Sequence, residues 1–205
     1  MAKHTMNKGF RIFVAALCGP LSLLPVACSK PVAETPPLAG ARIGGPFVLT
    51  DQDGRRFDSR QLAGRYPVIY FGYTFCPDAC PTDMQKLGKG MRELEKSDPG
   101  KAAKVQPIFI TVDPARDTPA VLKQYVSAFY PRMIGLTGTD AQIAAVAKEY
   151  AASYQKVPAP AGSTGYLMQH ASMAVLFGPD GGPIALVPVD ADAEQVADTL
   201  RKWVK

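Results

Sequence analysis

The sequence predicts an α/β domain: a strand–helix–strand unit, then a β-hairpin and a closing helix, with a further hairpin at the N-terminal edge. Three observations carry this prediction. Val68–Gly72 is an uninterrupted apolar run, the mark of a strand buried on both faces. Met84, Leu87, Met91 and Leu94 follow it at helical spacing. Val105–Val112 is a second apolar run, and Gly178–Gly182 later turns one β-rich stretch, Ser172–Phe177, into another, Ile184–Val189.

The chain has 205 residues, enough for one domain with a proper core. It opens with a basic, polar segment and an apolar stretch, Phe10–Ala27, interrupted by Pro20 and Pro25. That is the pattern of an export signal. Val26-Ala27-Cys28 is similar to the end of a bacterial lipoprotein signal, which makes Cys28 a lipidation candidate; an uncleaved anchor is the alternative. Residues 1–28 are therefore assigned to a signal or membrane anchor, and the domain is expected outside the cytoplasm, tied to a membrane. Net charge is +5, but Lys3, Lys8 and Arg11 supply three of the 23 basic residues and the first 27 residues hold no acid. No basic stripe interleaved with aromatics follows, so nucleic acid is not an expected partner. Residues 29–45, with Pro31, Pro36, Pro37 and Gly40, read as a tether, and 46–205 as the domain.

Within the domain, Phe47–Leu49 and Arg56-Phe57 flank Asp51-Gln52-Asp53-Gly54, a hairpin with glycine at the demanding turn position. The strand at Val68 and the helix through Leu94 come next. After Val105–Val112, Thr118 is a good N-cap and Pro119 a good first residue for a helix carrying Leu122, Tyr125, Val126 and Phe129, which Pro131 ends. A short strand is expected at Met133–Leu136. Thr139 and Gln142 form a capping box ahead of Ile143, Val146, Ala147 and Tyr150. Residues 153–166, rich in Pro, Gly and Ser, read as a long loop. Asp190 or Asp192 caps a last helix with Val196, Leu200 and Val204. This order is the thioredoxin arrangement with an N-terminal β-hairpin extension. In that fold the turn from the first core strand to its helix is the active site.

Here that turn reads Tyr73-Thr74-Phe75-Cys76-Pro77-Asp78-Ala79-Cys80-Pro81. Pro81 fits the first helical position, which puts Cys80 at the N-cap, where unpaired amides and the helix dipole favour thiolate. Asp78 opposes this by charge. Cys18 and Cys28 lie in the leader, so Cys76 and Cys80 must bridge each other, bind a metal or stay free. A thiolate is both the nucleophile of disulfide exchange and a ligand of soft metals. His4 is in the leader too, leaving His170 as the domain's imidazole, just before a strand. In a thioredoxin-like fold the loop entering the third core strand passes beside the cysteine turn, which brings His170 to the pair. Two thiolates and an imidazole make a soft three-ligand set: two sulfurs suit Cu(I), adding nitrogen suits Cu(II), and a structural zinc wants a fourth ligand. A thiol–disulfide oxidoreductase, with Cys76 and Cys80 as its redox pair, has no chemical need of His170. A thiol peroxidase needs an arginine beside its cysteine, and the sequence places none there.

YTFCPDACP, VDPARDTP, GLTGT, one histidine before a strand and a GPDGG turn occur in this order from Phe47 to the C-terminus. In this the chain resembles the Sco/SenC family of copper-delivery proteins. The resemblance implies a membrane-tethered, periplasm-facing domain binding copper, Cu(I) or Cu(II), through Cys76, Cys80 and His170. Its partner would be the copper-bearing subunit of cytochrome c oxidase or another periplasmic copper chaperone. Some relatives act instead as thiol–disulfide reductases. The family commonly has Asp before the histidine and Ser after it; here Gln169 and Ala171 stand there, so the usual carboxylate to orient the ring is missing. A reversible Cys76–Cys80 disulfide is expected as redox control.

Overall fold

The computed structural model describes residues 34–160, 162 and 165–205. The leader, Cys28 and the first part of the tether lie outside them. Among the described residues no helix is long and apolar enough to cross a membrane.

The strands are β1 (Val48–Asp51), β2 (Arg56–Asp58), β3 (Tyr66–Gly72), β4 (Val105–Thr111), β5 (Ile134–Thr137), β6 (Tyr154–Pro158), β7 (Tyr166–His170), β8 (Ala174–Phe177) and β9 (Pro183–Val187). The helices are α1 (Ala79–Ser97), α2 (Pro99–Lys104), α3 (Pro119–Phe129), α4 (Asp140–Glu149) and α5 (Ala193–Trp203). Seven strands form one sheet in the order β2-β1-β5-β4-β3-β8-β9. β3, β4 and β5 run parallel at its centre; β8 and β9 continue it antiparallel on one side, β1 and β2 on the other.

Every residue of β3 and β4 is buried, as the continuous apolar runs require. Pro107 is tolerated in β4 because β5 begins its pairing one residue later, at Ile108↔Ile134, so no ladder bond is lost to that neighbour. The β1–β2 turn has Gly54 at φ 76, the left-handed conformation expected of it. Thr118, Thr139 and Asp192 cap their helices, the latter two in full capping boxes.

Helix α1 buries Cys80, Met84, Leu87, Met91 and Leu94 along one stripe. Two glycines let its neighbours approach. A Cβ at Gly88 would lie 2.4 Å from the Phe129 carbonyl oxygen at the end of α3, and one at Gly90 would lie 2.4 Å from Val196 of α5.

Parts of the chain differ from the sequence reading, the short helix α2 among them. Residues 153–166 are not one loop: β6 and β7 pair as a separate two-stranded antiparallel sheet, from Tyr154↔His170 to Pro158↔Tyr166. The described end of the tether follows the domain surface, with Leu38 N–H on the Ile184 carbonyl (3.0 Å) and Gly44 N–H on the Glu149 carbonyl (2.8 Å).

Candidate metal centre

The cysteine turn begins where β3 ends. Gly72 leaves room for it: a Cβ there would sit 3.0 Å from Cys80 Sγ, 2.7 Å from the Tyr70 ring and 2.9 Å from Phe109. Thr74 is anchored next. Its N–H and its hydroxyl donate to the two oxygens of Asp117, at 2.9 and 2.6 Å, and Thr111 Oγ1 donates to the same carboxylate at 2.6 Å. Asp117 is fully buried, which pushes its carboxyl up; the bonds from Thr111 and Thr74 pull it back. In sequence, Asp117 directly precedes the Thr118 N-cap. Its role in the site rests on a side chain reaching from the β4–α3 loop to the β3–α1 turn, a contact that no local pattern encodes.

Helix α1 starts at Ala79, with Asp78 as N-cap, so Cys80 is the second helical residue and Pro81 the third. Proline is accepted there because none of the first four helical amides has an intrahelical partner. This shift reverses the expected roles of the cysteines. The sulfur of Cys80 points inward and is fully buried, while Cys76 is partly exposed. The free amide of Cys80 donates to Cys76 Sγ at 3.5 Å. The helix terminus thus serves Cys76. A hydrogen bond from the Cys80 thiol, assisted by the Cys80 and Asp78 amides, draws Cys76 down to about 3 against the opposing effect of burial. Cys80 moves the opposite way, raised by its neighbour's sulfur and by desolvation.

His170 ends β7. Its ring stands edge-on to Tyr70 and Tyr73, with centroids 6.2 and 5.9 Å away. Nδ1 lies 3.2 Å from the Ala171 carbonyl, and a carbonyl only accepts, so Nδ1 carries the proton and Nε2 presents its lone pair. Nε2 is 3.1 Å from Cys80 Sγ. Gln169 turns the other way, accepting from Gln155 across the hairpin at 2.8 Å. The ring is therefore oriented by a backbone oxygen, where the resemblance suggested a carboxylate.

Cys76, Cys80 and His170 come together as expected, their ligand atoms all within 4.8 Å of one another. Bonds of roughly 2.0–2.3 Å to nitrogen and sulfur would hold such atoms about 3.5–4 Å apart, so small side-chain adjustments close the set on one ion. Both cysteines are free thiols in this structure. The one Cys80 proton has two acceptors at hand, Cys76 Sγ and His170 Nε2, and a bound soft metal displaces it. Buried Tyr70 sits beneath the site, its hydroxyl donating to Asp83 at 2.9 Å.

The family model for SCO1/SenC matches residues 35–205. The chain is 37% identical over 163 residues to the mitochondrial protein SCO2 of Saccharomyces cerevisiae, covering 80% of this chain and 53% of that one. It is 36% identical over 173 residues to a SCO2-like protein of Rickettsia felis, covering 80% and 82%. It thus spans about half the length of the yeast relative. The copper-bound structure of Bradyrhizobium japonicum ScoI superposes with a TM-score of 0.69 at 40% identity, over 78% of this chain and 99% of that one. Copper-bound yeast Sco1 gives 0.70 at 36% identity, over 79% and 88%.

Proposed function

This chain belongs to the SCO1/SenC family, and from that premise we propose that it is a metallochaperone carrying one copper ion on Cys76, Cys80 and His170. The observation that carries the reading is the junction of two sulfurs and one Nε2 lone pair, drawn from a helix terminus and a distant hairpin, within 4.8 Å. Two sulfurs satisfy Cu(I), and the imidazole completes a trigonal S₂N set that suits Cu(II). The copper-bound relatives support this choice of ion. The recipient is the copper-bearing subunit of cytochrome c oxidase or another periplasmic copper chaperone. The leader pattern supports a periplasm-facing domain held to the membrane by an acyl chain on Cys28 or by an uncleaved anchor. Cys28→Ala abolishes lipid labelling if the first holds; labelling that persists rejects it.

Cys76 and Cys80 also form a reversible disulfide on this reading. So small a loop adds little stability, so the bond acts as redox control of loading. The test is metal analysis with visible spectra of the domain before and after reduction. The reduced domain, with the two titratable thiols of Cys76 and Cys80, takes up one copper with an intense sulfur-to-copper band. The oxidised domain, with none, takes up almost no copper. A reduced chain that binds no copper overturns the proposal.

A second reading, thiol–disulfide exchange on target cysteines, is favoured by one observation: Cys76 is partly exposed while Cys80 is fully buried beside it. That is the division of labour between an attacking and a resolving cysteine. Turnover of a disulfide substrate that survives His170→Ala but not Cys76→Ser supports it. No turnover by the reduced chain excludes it.

A further inference from the structure

Among the described residues, the hairpin that supplies His170 makes no ladder bonds to the seven-stranded sheet. Its position over the cysteine turn is set by the short run from His170 into β8 and by side chains, with Met168 buried among them. At the far end of β7 from His170, Tyr166 is gripped by the β4–α3 loop. The guanidinium carbon of Arg116 lies 3.8 Å from the centre of the Tyr166 ring, and its Nη1 donates to the Tyr166 carbonyl at 3.1 Å. Arg116 Nε donates to Asp113, and the Tyr166 hydroxyl donates to the other oxygen of Asp113 at 2.8 Å. The Asp113 side chain is 4% exposed and that of Arg116 25%, so the ion pair is largely shielded from water. The same guanidinium faces the cysteine turn, 5.6 Å from the Tyr73 ring and 5.0 Å from that of Phe75. Tyr73 in turn stands edge-on to His170.

The geometry points to Arg116, held by Asp113, as the positioning residue that docks the histidine hairpin onto the cysteine turn and so sets the third copper ligand. The inference rests on the copper reading for its consequence, but the docking itself is independent of it. The planar fork of arginine suits this role, because its edge binds a carboxylate and a carbonyl while its faces lie against aromatic rings. Lysine retains the charge and loses the fork. Without the clamp, the Nε2 of His170 is no longer held at the sulfurs, while the two thiolates, on the β3–α1 turn, stay where they are. Cu(II) binding, which uses the nitrogen, falls, and Cu(I) binding on two sulfurs persists.

The test compares wild type, Arg116→Ala, Arg116→Lys, Tyr166→Phe and His170→Ala as reduced protein, with Cu(I) and Cu(II) as probes and amide hydrogen exchange on the copper-free chain. Arg116→Ala is expected to lose about 10- to 100-fold in Cu(II) affinity, the usual effect of removing a residue that orients a ligand. Its Cu(II) spectrum shifts toward that of His170→Ala, and Cu(I) stays at one per chain. Its exchange quickens in β6 and β7 but not in β3 and β4. Arg116→Lys, without the fork, behaves as Arg116→Ala does. Tyr166→Phe, which removes one hydroxyl, shows the same changes in smaller measure and serves if Arg116→Ala does not fold. Wild-type exchange in the hairpin of the arginine and tyrosine variants, together with a wild-type Cu(II) spectrum, overturns the clamp. Equal loss of Cu(I) and Cu(II) also overturns it, since the cysteine turn would then depend on Arg116. If His170→Ala itself leaves the Cu(II) spectrum unchanged, the copper-site reading falls and hairpin exchange alone judges the docking.

Discussion

The two sulfurs of this site shift in opposite directions, each chiefly through the other. Cys80 belongs to the helix; the neighbouring Cys76 sulfur, and then burial, stabilise its thiol. Cys76 precedes the helix; the Cys80 thiol, and with it the helix's free amide, donates to its sulfur, so its thiolate is stabilised. A lowered thiol binds fewer protons folded than unfolded between about 3 and about 8.5. Its contribution to stability is thus present above that upper value and is lost as pH falls toward the lower one. Reactivity follows the same sign. Alkylation of Cys76 in the reduced, copper-free chain is expected to stay nearly flat from about pH 8 to about pH 5, with Cys80 unlabelled. A rate falling about tenfold per pH unit, as for a free thiol, would contradict this. The pair and the histidine were legible from residue type and spacing. Which cysteine faces solvent was not, because a small shift in the helix start decides it. Either Cys→Ser change is expected to abolish tight binding of both copper ions, as competition titrations would show.

At the scale of elements, the strands and helices with apolar periodicity were read nearly to their ends. The β6–β7 hairpin was missed because Gln155, Lys156 and Pro158 are exposed and Pro160, Gly162 and Gly165 dominate the composition; a strand with little burial has little pattern to read. The Asp117 anchor joins the loops after β3 and β4. Asp117→Asn leaves a side chain with one acceptor oxygen facing three donors. The expected cost is about 1–3 kcal/mol in urea unfolding, the penalty for an unsatisfied buried group. An unchanged midpoint would show that the turn does not rely on it. Gly88→Ala brings a methyl against the Phe129 carbonyl, a backbone atom that cannot swing aside. It should destabilise by about 1–3 kcal/mol, in the range of overpacked cores.

At the scale of the whole molecule, the compact unit begins at Thr35, ahead of the hairpin that the sequence marks as its start. The bonds from Leu38 to Ile184 and from Gly44 to Glu149 were illegible because backbone donors leave no mark on side-chain pattern. A fragment of residues 35–205 should fold with a higher Tm than one of 46–205; equal melting points would show those bonds to be incidental. The fold's central arrangement is to bring a helix terminus, a glycine-floored strand end and a separately docked hairpin to one point, where Cys76, Cys80 and His170 meet. The most direct test is X-ray absorption at the copper edge on the Cu(II)-loaded, reduced domain and its His170→Ala variant. The predicted copper shell holds two sulfurs and one imidazole nitrogen in the wild type, with the imidazole scattering lost in the variant. A shell with fewer than two sulfurs, or imidazole scattering that survives His170→Ala, would contradict it.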